Sequence, residues 1–455
     1  MALRRLLVAN RGEIALRIVR AARCLGIETV LAASEADRDS LAAREADRTV
    51  VLGPAPAKRS YLDAKLVVHA AKATGCDALH PGYGFLSERA ELARLCEDHG
   101  VRFVGPRAES IEAVGGKIAA RELARAAGVA MTPGSGALPT VDDALRFAES
   151  VGYPVVTKAS AGGGGRGMVV ARDPASLKAG FERASVEARE AFGDGTLFLE
   201  CYVERARHIE VQVLGDGAGG VLHFGERDCS AQRRYQKMVE EAPAAILGPE
   251  TRASLHAAAV RLLSSIRYRN AGTVEFLYDV ERESFWFMEV NARIQVEHPV
   301  SEAICGVDLV ALQLRVAGEE PIGLTQAAIN PSGHAIEVRV IAEDPDRGFA
   351  PSPGRLTAWR PPAGPGVRVD TAMHEGAMVP PYYDSMIAKL IVHGATRDEA
   401  CARLAAALDE FAIEGIHTNL PLLRFIARHP DFLANRITTR WLEQTLLPAY
   451  ERRAG

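Results

Sequence analysis

The first hundred residues alternate between short apolar runs and segments of helical period. Between residues 14 and 25, apolar side chains recur every three or four positions, which predicts a helix that Gly26 ends. The same patterns predict strands at 6–9, 29–33, 77–80 and 101–104 and further helices at 62–73 and 90–99. Because strands and helices alternate in this order, the sequence predicts a parallel, doubly wound α/β unit.

Beyond about Gly134 the pattern changes to longer strands. The predicted elements are a helix at 141–151 and strands at 154–158 and 168–171, on either side of a glycine run. Between residues 208 and 214, Ile and Val alternate with His, Glu and Gln, which predicts a half-buried antiparallel strand. A third region, interrupted by Pro and Gly clusters, ends in helices after Arg397. The predicted fold class is therefore α/β and α+β, in two or three domains.

Composition narrows the classes of function. The 455 residues carry 54 basic and 58 acidic side chains, a net charge of −4 that offers no basic surplus to a nucleic acid or an anionic membrane. No apolar run is long enough to span a bilayer. The seven cysteines include no C-x-x-C pair, which argues against a disulfide framework and a zinc site. We therefore expect a cytoplasmic location, with no nucleic acid and no membrane as partner.

A run of glycines at residues 162–167, broken only by Arg166, is the first candidate for chemistry. Four consecutive glycines cost backbone entropy, which a special conformation or a close ligand justifies, and the N–H groups of such a loop can bind phosphate oxygens. It is not a Walker loop, because no Gly-Lys-Ser/Thr follows and residues 168–170 continue as a strand. We expect a mobile flap between two strands with Lys158 at its base; an ordinary flexible hairpin is the alternative.

A second pattern sets two carboxylates face to face. Two largely apolar strands flank a polar turn centred near Arg282, and Glu275 and Glu289 each lie seven residues from that centre. Antiparallel pairing therefore places them opposite each other, with Asn291 on the face of Glu289. Two such carboxylates among apolar neighbours require a cation, and oxygen ligands suit Mg²⁺ or Mn²⁺. The alternative is a pair of exposed surface glutamates.

Polar residues continue at alternate positions after Asn291. Arg293, Gln295 and Glu297 are predicted to extend the metal-side face of the strand. A guanidinium, an amide and a carboxylate in one row can hold a small planar anion and deprotonate it. Upstream, residues 226–237 form a dense polar segment, which on its own is more typical of a solvated loop.

Together these segments resemble one family, the biotin carboxylases of the ATP-grasp superfamily. They match its motifs in the family's order over almost the whole chain, from about Leu6 to Leu442. The matching strings are Ala9–Ala15, His80–Glu88, the glycine flap, Glu226–Lys237, Glu240–Pro243, Asn291–Pro299 and Pro380–Met386. Several of them are long and peculiar to biotin-dependent carboxylases.

The resemblance implies three domains and one reaction. It implies a doubly wound N-terminal biotin carboxylase domain at 1–115, an ATP-grasp domain at 116–325 with a mobile glycine-rich lid at about 132–203, and a C-terminal α+β domain at 333–443. The implied activity is that of a ligase that carboxylates biotin with bicarbonate and ATP, giving carboxybiotin, ADP and phosphate. This is the first half-reaction of an acyl-CoA carboxylase.

The resemblance also implies a role for each matching residue. ATP would be bound by Lys117, Lys158, Gly164, Gly165, the adenine hinge Glu200, Cys201, Tyr202 and Val203, His208 near the ribose, Gln232 and Tyr235. Two divalent ions, Mg²⁺ or Mn²⁺, would be ligated by Glu275, Glu289 and Asn291. The substrate-binding residues would be Lys237, Arg293, Gln295, the Val296 backbone, Arg339 and Tyr83. Of the catalytic residues Lys237, Arg293, Glu297 and Arg339, Glu297 would be the general base and Arg339 would stabilise the biotin enolate.

Three positions depart from the family pattern. Cys201 stands where many members have Lys, Tyr235 where many have His, and Gly116 where Asp commonly precedes the lysine. Adenine recognition through the hinge backbone should tolerate Cys201. Tyr235 can donate a hydrogen bond but cannot carry a positive charge.

The implied partners act in trans. None of the eight lysines lies between methionines at the tip of a tight hairpin, as a biotin-acceptor lysine would, so biotin is expected on a separate biotin carboxyl carrier protein. Carboxyltransferase subunits and a homodimer are also implied. Acetyl-CoA, in fatty acid biosynthesis, is the default acceptor, and propionyl-CoA, methylcrotonyl-CoA and pyruvate remain open.

Three other classes of protein share part of the pattern. Another ATP-grasp ligase would share the flap and the carboxylate pair but not the Arg293–His298 string. A non-catalytic nucleotide-binding protein would not need the full set of charged residues. A nicotinamide dehydrogenase would need G-x-G-x-x-G, which the first turn, Asn10–Gly12, lacks.

Overall fold

The computed structural model describes residues 2–160 and 168–453. The N-terminal part contains β1 (Arg5–Val8), α1 (Gly12–Cys24), β2 (Glu28–Ser34), α2 (Leu41–Glu45), β3 (Arg48–Gly53), α3 (Ala64–Ala73), β4 (Ala78–His80), α4 (Ala90–Asp98), β5 (Arg102–Phe103), α5 (Ala108–Gly115) and α6 (Lys117–Ala126). Its five strands form a parallel sheet in the order β3-β2-β1-β4-β5, so the predicted doubly wound unit is confirmed. The short elements α2 and β3 were not predicted.

A small antiparallel sheet follows. Its elements are α7 (Val141–Val151), β6 (Val155–Ala159), β7 (Val169–Ala171), α8 (Pro174–Phe192) and β8 (Leu197–Cys201), with strand order β7-β6-β8. The strands β6 and β7 pair directly, as expected for strands that flank a hairpin flap. The flap itself, with Gly164 and Gly165, lies outside the described residues. Alanine and leucine side chains of the two helices pack against the sheet and form a separate apolar core.

The largest sheet has eight strands and carries the polar residues singled out above. Its central elements are β9 (Ala206–Asp216), β10 (Val221–Arg233), β11 (Gln236–Ala242), α9 (Pro249–Ser265), β12 (Arg269–Asp279), β13 (Ser284–Asn291), α10 (His298–Cys305) and α11 (Leu309–Ala317). The strand order is β13-β12-β9-β10-β11, and neighbouring strands are antiparallel. The apolar side chains of β9 pack with those of α9.

The last part of the chain extends the same sheet. Its elements are β14 (His334–Ile341), β15 (Glu343–Asp344), β16 (Ala350–Pro351), β17 (Gly354–Arg355), β18 (Ala358–Arg360), β19 (Val367–Thr371), β20 (Met378–Val379), β21 (Met386–Gly394), α12 (Arg397–Glu410), β22 (Ala412–Glu414), α13 (Leu420–Arg428), α14 (Pro430–Leu433) and α15 (Leu447–Arg452). Beyond β11 the sheet continues as β14-β21-β19. The predicted helices after Arg397 are present, and α12 and α13 cover this end of the sheet.

Two predictions about individual strands are wrong. The strand that contains residues 208–214 is buried on both faces and not half-buried, because ion pairs cover its polar face. The strand through Glu289 ends at Asn291, so Arg293, Gln295 and Glu297 do not continue it. They lie in an irregular segment that leads into α10, which has a proline in its first turn. Among the described residues, none of the helices combines the length and apolarity needed to cross a bilayer.

Candidate active site

Lys237, near the start of β11, lies at the centre of a cluster of carboxylates. Its Nζ donates hydrogen bonds to Glu210 at 2.5 Å, Glu275 at 2.9 Å and Glu297 at 2.7 Å. Burial opposes the charge on Lys237, but the three carboxylates raise its pKa well above the ordinary value. The ammonium group is therefore held in the charged form, where it joins strands β9 and β12 to the start of α10.

The predicted pairing of Glu275 with Glu289 is present in the register of β12 and β13. Glu275 accepts hydrogen bonds from four side chains: Lys237, His208, Asn291 and Gln295. Glu289, by contrast, has no hydrogen-bond partner within residues 2–160 and 168–453. Burial and the facing Glu275 raise the pKa of Glu289. An acidic side chain without a partner, opposite a second carboxylate, fits a site for a hard cation such as Mg²⁺ or Mn²⁺.

Two neighbours complete this end of the cluster. Asn291 donates its Nδ2 to Glu275 at 2.9 Å and accepts at Oδ1 from Arg293 at 3.0 Å, so its oxygen lies at the same edge of the carboxylate pair. His208, expected near the ribose, places its Nε2 2.8 Å from Glu275. The candidate ligand atoms of His208, Glu210 and Glu275 all lie within 4.8 Å of one another.

The segment after Asn291 brings its side chains together without strand periodicity. Arg293 donates to Gln295 at 2.5 Å and to Glu88 at 3.0 Å, and Gln295 donates to Glu275 at 3.2 Å. Glu297 divides its two oxygens, since Oε1 accepts from Lys237 and Oε2 from Arg339 at 3.0 Å. The predicted convergence of guanidinium, amide and carboxylate is therefore present, although the predicted strand is not.

A second cationic cluster lies where α6 meets the small sheet. Lys117 is the first residue of α6 and Lys158 lies on β6, and Lys158 donates to Glu200 of β8 at 2.5 Å. Arg121 of α6 binds the other oxygen of Glu200. Burial, with the neighbouring Lys117 and Arg121, lowers the pKa of Lys158, and the ion pair with Glu200 acts in the opposite direction. Three cations around one carboxylate leave positive charge for an anionic ligand.

The hinge follows β8 directly. The N–H groups of Cys201 and Tyr202 donate to backbone carbonyls at 2.9 Å, which fixes the path of the chain into the buried Val203. Tyr235 is 56% exposed in the turn between β10 and β11, where its φ is positive. Gln232 is buried on β10, opposite Lys237.

The sequence analysis missed several charged residues of the cluster. Glu210 and Arg227 are completely buried and joined by a hydrogen bond of 2.6 Å, and Arg227 also donates to Gln212 and Ser301. Glu210 was treated as one polar residue of a strand face, and Arg227 as part of a solvated loop. A signal was available, because a strand with His, Glu and Gln on one face and a polar neighbouring strand also fits a buried ionic layer.

Lys389 was also assigned no role in the site. It is completely buried on β21 and donates to the Val296 carbonyl at 2.9 Å, and it lies 3.1 Å from Glu13 of α1. Tyr83 donates its hydroxyl to the same Glu13. The backbone at residue 296 is thus held by a chain of contacts that reaches the N-terminal part.

Comparison with known families agrees with this geometry. Three family models match in sequence: "Biotin carboxylase, N-terminal domain" at residues 2–111, "Carbamoyl-phosphate synthase L chain, ATP binding domain" at 116–325, and "Biotin carboxylase C-terminal domain" at 337–444. The middle model is named after another ATP-grasp ligase. The two flanking models are specific to biotin carboxylases.

Similar proteins match over nearly their full lengths. Biotin carboxylase 1 of Bacillus subtilis is 49% identical, with 97% of this chain and 98% of that protein covered. The solved biotin carboxylase of Campylobacter jejuni has a TM-score of 0.94 at 43% identity, with 97% and 99% covered. The biotin carboxylase domain dimer of Hydrogenobacter thermophilus 2-oxoglutarate carboxylase has a TM-score of 0.92 at 46% identity, with 98% of each chain covered. The chain belongs to the biotin carboxylase family, the ATP-dependent ligases that carboxylate biotin with bicarbonate.

Proposed function

We propose that this chain catalyses the first half-reaction of an acyl-CoA carboxylase, with its biotin carried by a separate protein. The observation that carries the proposal is the division of Glu297 between Lys237 and Arg339. One carboxylate thereby joins the cations expected to meet bicarbonate and those expected to meet biotin.

Bicarbonate is held by Lys237, Arg293, Gln295 and the N–H of Val296, and Glu297 removes its proton. Burial opposes ionisation of Glu297, but Lys237 and Arg339 lower its pKa, which supports a base that is deprotonated when substrate arrives. The bicarbonate oxygen then attacks the γ-phosphorus of ATP, giving ADP and carboxyphosphate.

ATP binds between the second cationic cluster and the hinge. Lys117 and Lys158, with the flap glycines Gly164 and Gly165, bind its phosphates, and residues 200–203 bind the adenine, with His208, Gln232 and Tyr235 nearby. Glu275, Glu289 and Asn291 hold two Mg²⁺ or Mn²⁺ ions, which when bound offset the negative charge of the phosphates. Asn291 presents its oxygen by giving up its contact with Arg293.

Carboxyphosphate breaks down to CO₂ and phosphate in the closed site. Phosphate takes the proton from the N1′ of biotin, Arg339 stabilises the enolate that forms, and N1′ attacks CO₂ to give carboxybiotin. Tyr83 lies on the biotin side. The work is divided among an N-terminal domain at 1–115, an ATP-grasp domain at 116–325 with its lid at about 132–203, and a C-terminal domain at 333–443.

The partners follow from the same assignment. A biotin carboxyl carrier protein, carboxyltransferase subunits and a second copy of this chain complete the enzyme, with acetyl-CoA as the acceptor and fatty acid biosynthesis as the pathway. A pyruvate carboxylase component of Methanothermobacter thermautotrophicus, 47% identical, keeps a second acceptor class in view. All seven cysteines are free, which supports a cytoplasmic location.

The two half-reactions are separated by two substitutions. Glu297→Gln should lower bicarbonate-dependent ATP cleavage by about 10²- to 10⁴-fold, because it removes the base. Arg339→Ala should chiefly lower the amount of carboxybiotin formed per ATP cleaved. Both quantities are measured with free biotin.

Matched controls come from an ion pair on the other face of the sheet. Glu241 and Arg397 are hydrogen-bonded at 2.7 and 2.8 Å, away from the site. Glu241→Gln and Arg397→Ala should lower stability and leave the carboxybiotin yield per ATP unchanged. Equal losses of both activities in Glu297→Gln and Arg339→Ala would contradict the assigned roles, and ATP cleavage without dependence on bicarbonate would favour another ligase.

A further inference from the structure

Two adjacent glutamates of β11 point to opposite faces of the large sheet. They belong to the matching string Glu240–Pro243, for which the reaction described above has no use. Glu241 binds His334 at 2.9 Å and Arg397 at 2.7 Å, in an ion pair within the C-terminal part. Glu240 points into the active site instead, where it meets Arg339.

Glu240 holds one edge of the Arg339 guanidinium. Its Oε1 lies 2.7 Å from Nε and 2.6 Å from Nη2, and the same Nη2 donates to Glu297 at 3.0 Å. The Nη1 group makes no hydrogen bond with any residue in the described ranges 2–160 and 168–453. Two carboxylates therefore fix Arg339 from one side and leave its Nη1 for a substrate.

Glu337 lies directly opposite Glu240 in the pairing of β11 with β14. It is completely buried, and neither of its oxygens has a hydrogen-bond partner among the described residues; the Oε2 of Glu240 has none either. The groups that face Glu337 are Glu240 from β11, Arg339 from β14, Lys389 from β21, Glu297 at the start of α10, and Tyr83. Lys389 directs its hydrogen bond to the Val296 carbonyl and not to Glu337.

An ionised carboxylate in this position would be buried without a direct partner and beside a second carboxylate, which is costly. Burial, and then the neighbouring Glu240, raise the pKa of Glu337 well above its ordinary value, although Lys389 and Arg339 oppose this. A neutral carboxylic acid removes the repulsion. Its hydroxyl can also donate to the free oxygen of Glu240 across the strand pair.

We propose that Glu240 is a positioning residue for Arg339, and that Glu337 opposite it is a neutral carboxylic acid that supports Glu240. The pair then carries one negative charge, which matches the single charge of Arg339. The inference rests on the proposed role of Arg339 toward biotin. It assigns Glu240 to the biotin step and not to ATP cleavage.

The test compares three isosteric substitutions on the full-length protein. Glu240→Gln should raise the KM for free biotin and lower carboxybiotin per ATP by about tenfold to a hundredfold, because a displaced guanidinium meets the enolate poorly. Its bicarbonate-dependent ATP cleavage should change by less than the biotin step. Glu240→Asp, which keeps the charge, should recover part of the loss. Glu241→Gln is the control, with lower thermal stability and an unchanged yield.

Glu337→Gln tests the neutral acid. An amide replaces a neutral carboxyl without change of charge, so this variant should lose less carboxybiotin yield than Glu240→Gln and should remove the protonated-carboxyl band from the infrared difference spectrum. Losses in Glu337→Gln as large as in Glu240→Gln, or an unchanged infrared spectrum, would overturn the neutral acid. If Arg339→Ala lowers the yield and Glu240→Gln does not, the positioning role fails; if Arg339→Ala leaves the yield unchanged, the proposed function fails first.

Discussion

Glu289→Gln separates the cost of the carboxylate pair from its use. Glu275 and Glu289 face each other across paired strands, where side chains are about 5 Å apart, and at an effective dielectric constant of about 20 two such charges repel by about 3 kcal/mol. Protonation of Glu289 relieves part of this cost, because burial and Glu275 raise its pKa. The variant should therefore raise the free energy of unfolding of the metal-free protein, by at most about 3 kcal/mol.

The same substitution should weaken the use of metal. Loss of a residue that only supports a metal ligand costs about 10- to 100-fold in affinity, so loss of a ligand should raise the Mg²⁺ concentration needed for half-maximal ATP cleavage by at least that factor. The assays are denaturant unfolding in EDTA and bicarbonate-dependent turnover over a range of Mg²⁺ concentrations. Glu281→Gln, in the exposed turn of the same hairpin, is the control and should change neither.

Either result can refute the reasoning. An unchanged Mg²⁺ dependence would mean that the pair does not hold the cation. A destabilised metal-free variant would mean that repulsion does not dominate the pair.

Two further predictions concern stability and biotin. Burial opposes ionisation of Glu241, but His334 and Arg397 lower its pKa to about 2, so its ionised form stabilises the fold above about pH 5 and this contribution, roughly 3 kcal/mol, is lost as pH falls toward 2. Glu241→Gln should flatten acid unfolding in that range, and an unchanged slope would contradict the ion pair. After co-expression with a biotin ligase, intact mass spectrometry should find no covalent biotin, since Lys237 and Lys389 are held in buried ion pairs; a biotin-sized adduct on any lysine would contradict delivery in trans.

The carboxylate hairpin shows how far sequence reasoning reaches. A turn centred near Arg282 predicted Glu275 opposite Glu289, and the structure has this pair. On the turn side of Glu275, however, a bulge shifts the register by one residue, so Phe276 pairs with Phe287. The prediction was right at the site because period-two alternation holds between the bulge and Asn291.

Other parts of the site could not be read from periodicity. The backbone from Ala292 to Glu297 has no repeating conformation, and its side chains are placed by partners distant in sequence, such as Glu88 and Arg339. The burial of Glu210 likewise depends on Arg227 and Lys237, which lie on other strands. Alternation alone fits both a solvated strand face and a buried ionic one, and the choice between them depends on contacts that only the tertiary structure provides.

The continuity of the large sheet has a consequence for protein dissection. The ladder between β11 and β14 crosses the boundary expected between residues 325 and 333. Cutting the chain there would leave the backbone N–H and C=O groups of β11 unpaired along an open edge, which is a template for intermolecular strand pairing and aggregation. It would also strip the apolar surface that α12 and α13 now cover. An ATP-cleaving fragment should therefore not be obtainable by truncation at this boundary, and the half-reactions must be separated by point substitution.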